Sequence, residues 1–162
     1  MMEKLILAAE DPRAADAVRL LDRLTADLGQ RYGDDGNGNF RPEDVGIPGG
    51  AFLIARLDGV PVGCGALRPF APGIGEIKRM YVEPSHRGKG IARRVLADLE
   101  RRAAAFGYLS VRLETGTLQQ EALCLYESSG YHRIECYGYH KEDPRSICFE
   151  KRFGGDATPA QR

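Results

Sequence analysis

Residues 86 to 95, HRGKGIARRV, bring two glycines and a run of cationic side chains to the start of an apolar-periodic segment. Gly88 and Gly90 let a ligand approach the backbone closely. The stretch follows an apolar run ending YVEP, so it reads as a strand-to-helix turn. At such a turn the free N–H groups and the macrodipole of the helix attract anions. Arg87 and Lys89 add positive charge, and phosphate binding is the chemistry these residues suit; a plain loop-to-helix turn is the other reading. A Walker A loop needs Ser or Thr after its Gly-Lys pair, whereas Gly90 follows Gly88-Lys89 here. No dinucleotide GxGxxG is present either.

The remaining residues capable of chemistry are scattered. Cys64, Cys124, Cys136 and Cys148 show no CxxC or other zinc spacing, and His86, His132 and His140 lie far apart. No metal site is expected. The N-terminal apolar run, Leu5 to Ala9, is too short for a signal-peptide core or a membrane span. All four cysteines are therefore expected as reduced thiols in a cytoplasmic protein, Cys124 serving as packing. Cys136 and Cys148 are expected as cross-strand neighbours that stay thiols. Lys+Arg and Asp+Glu both number 23 in 162 residues, so no global field points to nucleic acid or an anionic membrane. Any anion site must be local.

The elements that would position this turn follow from periodicity. Residues 4 to 9 read as a short buried strand. Asp11-Pro12 opens a helix with Ala14, Ala17, Val18, Leu21, Leu24 and Leu28 on one stripe. A loop dense in Gly, Asp, Asn and Pro follows, up to Gly50. Residues 51 to 70 form a hairpin turning at Asp58-Gly59, and EIKRMYVEP adds a third strand. Ile91, Val95, Leu99, Ala103 and Phe106 make a second helical stripe closed by Gly107. YLSVRLET is a strand, Gln119 to Ser129 a short helix, and YHRIECYGY with SICFEKRF a closing hairpin about KEDPR. The strands on either side of the second long helix should be parallel neighbours. One α/β domain over residues 3–153 is expected, with a disordered tail from 154 to 162. Its sheet would be mixed and mostly antiparallel, with helices on both faces.

The run Arg87-Gly88-Lys89-Gly90-Ile91-Ala92 matches R-x-x-G-x-A, and residues 122 to 131 match A-x-x-L-Y-x-x-x-G-[FY]. In this order of elements the chain resembles the GCN5-related N-acetyltransferase (GNAT) family over nearly its whole length. The resemblance implies a central parallel strand pair that splays apart to hold acetyl-CoA as co-substrate. It implies a β-bulge near Arg79 to Tyr81, with Met80, Tyr81 and Val82 meeting the pantetheine and acetyl group. Amides from Arg87, Gly88, Lys89, Gly90, Ile91 and Ala92 would hold the pyrophosphate. Glu76 matches the strand position of a family carboxylate base; a solvated strand glutamate or the partner of a nearby Arg is the alternative. Glu114, at the end of the other splayed strand, is the competing base; many members carry Asn near that position, and a role shared between the two glutamates is the further alternative. Tyr126 matches the tyrosine that donates to the CoA sulfur, and its alternative is a core aromatic.

The same resemblance sends the acceptor in opposite the CoA, among the loops 31–44, 68–76 and 137–145. Tyr32, Arg41, Arg68, Arg79, Tyr139 and Arg145 would line that side. Arginines suit an acceptor carboxylate, while Asp34, Asp35, Glu43 and Asp44 suit a cation. The implied function is transfer of acetyl to the primary amine of a small molecule, with an amino acid-like amine favoured. A non-catalytic acyl-CoA sensor and an acetyltransferase of peptide amines are the alternatives, and a homodimer is left open.

Overall fold

Apolar runs separated by turn residues pair into one seven-stranded sheet with helices on both faces. The structure is a computed structural model that describes residues 3–33 and 40–154, apart from the Tyr139 side chain. The elements are β1 (Leu5–Ala9), α1 (Ala15–Tyr32), β2 (Ala51–Leu57), β3 (Val60–Ala71), β4 (Ile74–Val82), α2 (Ile91–Ala105), β5 (Ser110–Gly116), α3 (Gln120–Ser128), β6 (His132–Ile134) and β7 (Ser146–Arg152). The sheet order is β1-β2-β3-β4-β5-β7-β6. Among the described strands only β4 and β5 pair in parallel, with α2 as their crossover.

The near-continuous apolar character of β2 follows from burial on both faces. Phe52 and Ile54 join Cys64, Ala66 and Tyr81 under Ala17, Leu20 and Leu24 of α1. Leu53 and Ala55 point the other way, toward Ile91, Val95, Leu96 and Leu99 of α2 and Leu123 and Tyr126 of α3. The sheet thus separates two apolar clusters, one per face.

Two irregularities shape its centre. β4 and β5 pair only from Ile74–Ser110 to Ile77–Leu113, although each strand runs on, to Val82 and Gly116. Beyond Ile77 and Leu113 they therefore splay. On the other side of β4 the register steps from Ala66–Lys78 to Cys64–Tyr81, three residues of β4 against two of β3. Arg79 takes up the extra residue with φ of 58°. This is the expected bulge at the expected place.

The C-terminal part departs from expectation. β6 holds three residues, and the chain leaves the sheet after Ile134 through a helical turn at Gly138–His140 before β7 begins. Leaving there brings Cys136 against Cys148, with Cα atoms 5.1 Å apart, and the two form a disulfide. The expectation of four thiols fails at this pair: the two were expected as neighbours, but compartment reasoning kept them reduced whatever their distance; Cys64 and Cys124 are free. Cys124 is exposed and not packing. On α3 the buried positions are Leu123 and Tyr126, and Cys124 falls on the outer face. Cys64 does pack, and burial pushes its thiol up to about 12, which removes it as a nucleophile. The tail expected from 154 onward lies, past Gly154, outside the described residues.

Candidate active site

The splay opens onto a cavity of about 530 Å³. Met80, Tyr81 and Val82 line it from β4, Arg87, Gly88, Gly90, Ile91 and Ala92 from the turn and α2, and Tyr126 from α3. At the mouth Gly88 and Gly90 have φ of 80° and 79°, and a Cβ on either would meet nothing within 4 Å. Backbone conformation, and not packing, demands these glycines. Gly90 is the N-cap of α2 and offers no side-chain cap, so the N–H groups of the first turn stay open to an anion. Arg87 is pinned by donating from Nε to the Val82 carbonyl at 2.9 Å, with its guanidinium over the Tyr81 ring. Lys89 stands apart from this lining and pairs with Glu3 at 3.8 Å.

The bulge orients one peptide toward the gap. The Cys64 thiol donates to the Arg79 carbonyl at 3.4 Å, across the strand pair toward β3. In a trans peptide the Met80 N–H then points the opposite way, away from Cys64. Tyr126 is 5% exposed, packed near Tyr131 and Phe149, yet it lines this cavity. Among the described residues its hydroxyl has no hydrogen-bond partner. Burial, with the Glu114 charge adding, pushes the phenol well above its ordinary value, so it stays protonated at neutral pH and can donate a hydrogen bond.

A second cavity, about 220 Å³, lies on the α1 face and shares Leu24, Met80, Gln119 and Tyr126 with the first. Lys78, Arg79, Glu114, His140, Asp143 and Arg145 supply its charged groups. Glu114 accepts from the Ser146 hydroxyl at 2.8 Å and faces His140 Nδ1 at 3.6 Å. Burial holds the His140 imidazole below its ordinary value, with Glu114 opposing. Arg145 is bound to Asp143 and donates to the Tyr32 carbonyl at 2.9 Å. The two cavities meet at the bulge, where Met80 and Tyr126 face both.

Glu76 sits elsewhere. It is 2% exposed, and one oxygen takes the Arg68 Nε and guanidinium at 2.9 Å while the other accepts from the Tyr137 hydroxyl at 3.0 Å. It lines a separate cleft of about 260 Å³ with Asp44, Arg68, Phe70, Tyr137 and His140. Burial and the adjacent Glu76 charge raise the Tyr137 phenol, keeping it a donor. The ion-pair alternative is thus the arrangement found at Glu76.

Of the acceptor-side residues, Arg79 lines the smaller shared cavity and Tyr32 and Arg145 an adjoining one of about 90 Å³. Arg68 lines the Glu76 cleft, and Arg41 is exposed with its backbone N–H on Asp44. Asp34, Asp35 and the Tyr139 side chain lie outside what is described. The sequence reading missed Gln119. Its side-chain oxygen gathers Tyr32, Thr115 and the Gly116 N–H at 3.1 to 3.3 Å, tying the end of α1 to the start of α3. It missed Arg31 too, which reaches the Leu118 carbonyl at 3.1 Å and Glu121 at 3.2 Å. Gly116 admits this clamp, since a Cβ there would fall 1.9 Å from the Tyr32 hydroxyl. Such long-range contacts leave no spacing signal.

Known proteins show the same pattern. A family model described as the acetyltransferase (GNAT) family matches residues 17–131. The chain is 36% identical to the IAA acetyltransferase of Azospirillum brasilense, over 93% of this chain and 99% of that one. It is 30% identical to the uncharacterized N-acetyltransferase YjgM of Escherichia coli, over 83% of each. The PaiA N-acetyltransferase of Thermoplasma acidophilum, solved in complex with coenzyme A, shares the fold: TM-score 0.71, 17% identity, 93% of this chain and 99% of that one covered.

Proposed function

The chain belongs to the GNAT acetyltransferase family, and from that footing we propose that it moves acetyl from acetyl-CoA directly onto the primary amine of a small molecule. The observation that carries this reading is the junction of two cavities at the splay, one with an anion-receptive mouth and one lined by a carboxylate. A sensor would need only the first. No helix among the described residues is long and apolar enough to cross a membrane.

The pyrophosphate rests on the open amides from Gly88 to Ala92, with Arg87 beside it. The thioester lies along Met80 to Val82, and the Met80 N–H stabilises the oxyanion as the amine attacks. Glu114 takes the proton from the acceptor ammonium, as it lines the cavity that meets the acetyl-CoA cavity, whereas Glu76 lines the other cleft and is paired with the Arg68 guanidinium. Glu76 instead braces Arg68 and Tyr137 around the cleft. The amine nitrogen bonds to the carbonyl carbon, the C–S bond breaks as the intermediate collapses, the nitrogen's second proton passes to the departing sulfur, and the Tyr126 hydroxyl donates a hydrogen bond to that sulfur while its negative charge develops. Its raised pKa favours that hydrogen bond over complete proton transfer.

The test is an acetyl-CoA assay across amino acids, polyamines, aminoglycosides and peptides, following free thiol and acetylated product together. Thiol release matched by an acetylated small amine is the expected result. Acetyl-CoA binding without turnover of any amine leaves the sensor reading, and turnover of peptides alone moves the acceptor to protein.

A further inference from the structure

The charges in the acceptor cavity are mostly spoken for. Arg145 holds Asp143 with two hydrogen bonds at 3.2 and 3.1 Å. Glu114 is met by Ser146 and His140. Arg79 lays its guanidinium over the Phe40 ring. In the neighbouring cleft Arg68 joins Asp44 and Glu76 at 2.6 and 2.9 Å. Lys78 differs. It lines the cavity with no hydrogen bond or ion pair among the described residues, and its sequence neighbourhood bears none of the glycine-rich or motif signals that mark the phosphate turn.

Its place in the sheet is defined. Lys78 is the first β4 residue past the last parallel pair, Ile77–Leu113, as Glu114 is the first of β5. Both therefore stand at the floor of the splay, on the face opposite Ile77 and Leu113. Met80 follows two residues later across the bulge at Arg79, so it lies at most roughly 7 Å further along the strand. A molecule reaching from the Lys78 ammonium to the thioester beside Met80 must be short.

We propose that Lys78 receives a carboxylate of the acceptor, so that the amine acetylated here is that of an amino-carboxylate. This rests on the acetyl-transfer reading above and names its substrate class. Arg68 and Arg145 are engaged with the protein's own acids and Arg79 lies over the Phe40 ring, and Lys78 takes the role of holding the carboxylate. An ammonium drawn out of water without a counter-ion is unfavourable. Burial lowers Lys78 from its ordinary value, the Glu76 and Glu114 charges oppose that shift, and Arg68 and Arg79 add to it. A bound carboxylate supplies the missing partner at hydrogen-bond distance and favours the charged form. The zwitterion then lies with its carboxylate on Lys78 and its amine toward Glu114, a charge order that a simple alkylamine cannot satisfy.

The test pairs each of the common amino acids with its α-carboxamide, measured by calorimetry on the CoA-saturated protein and by thiol release with acetyl-CoA. At least one amino acid should bind on the order of tenfold or more tighter than its amide. Lys78→Met and Lys78→Gln should abolish that preference while leaving acetyl-CoA affinity unchanged, and Lys78→Arg should keep most of it. Equal binding of acids and amides by the natural protein overturns the proposal, as does a preference that survives in Lys78→Met or Lys78→Gln. An acetyl group found on Lys78 after incubation with acetyl-CoA alone overturns it too, because the ammonium would then sit at the carbonyl. A carboxylate preference that vanishes with Lys78, in a protein that acetylates none of these ligands, upholds the anchor and refutes the transfer reading instead.

Discussion

Replacing Gly90 by glutamate separates phosphate binding from loop conformation. Gly90 holds φ of 79°, and a Cβ there meets no atom within 4 Å. Any L side chain thus costs the left-handed strain alone, about 1–2 kcal/mol, and Gly90→Ala measures that cost. For a chain of this size each kcal/mol lowers Tm by about 2–4 °C, so Ala and Glu variants should both melt roughly 2–8 °C below the natural protein. Affinity should separate them. A carboxylate about 6 Å from a phosphate charge, at an effective dielectric constant near 20, repels it by about 3 kcal/mol. That is on the order of a hundredfold in Kd, beyond the bulk placed across the amides. Gly90→Ala, with no charge and only a methyl, should weaken acetyl-CoA less than about tenfold by the same reckoning. Calorimetry on both folded variants is the assay. A Gly90→Glu protein that binds acetyl-CoA as tightly as Gly90→Ala would refute the assignment of the pyrophosphate to this turn.

The other predictions concern the proton path and the covalent tie. Glu114→Gln should lower turnover about a hundredfold with little change in acetyl-CoA affinity, while Glu76→Gln mainly lowers stability through the Arg68 it leaves buried; the reverse pattern in steady-state rates and melting returns the base to Glu76. Tyr126→Phe should slow single-turnover acetyl transfer roughly ten- to a thousandfold at saturating acetyl-CoA with Tm nearly unchanged, and a wild-type rate would leave the ring as packing only. Opening the Cys136–Cys148 bond, by reductant or by paired Ser substitution, releases a link of sequence separation 12 and should cost about 3 kcal/mol in urea unfolding. An unshifted urea midpoint would show that the bond adds nothing to the folded state.

Residues 3–153 are legible where local pattern and tertiary role coincide. Of the stripe Ile91, Val95, Leu99, Ala103 and Phe106, the first four are both a helical period and the buried face of α2, while Phe106 at its end is exposed. Gly88 and Gly90 announce a turn because only glycine adopts φ near 80° without strain. The bulge at Arg79 comes from resemblance, since a polar residue within a strand run carries no sign of its conformation. Glu76 shows the limit from the other side. Its motif position says base, but Arg68 and Tyr137, eight and sixty-one residues away, occupy its oxygens. The Gln119 and Arg31 clamps are invisible for the same reason. Each acquires its role from neighbours that only folding brings near. Compartment reasoning speaks to Cys136 and Cys148 in general, whereas the exit of the chain after Ile134 decides their contact.

The central claim is that the acetyl carbonyl sits at the neck between the two cavities, on the Met80 N–H and open to the acceptor side. Diffraction from crystals of the acetyl-CoA complex tests it most directly. The account predicts the pyrophosphate oxygens on the amides of Gly88 to Ala92, the thioester oxygen within hydrogen-bond distance of Met80 N, and the sulfur facing the Tyr126 hydroxyl. A thioester bound elsewhere, or one whose carbonyl is walled off from Lys78 and Glu114, would contradict it.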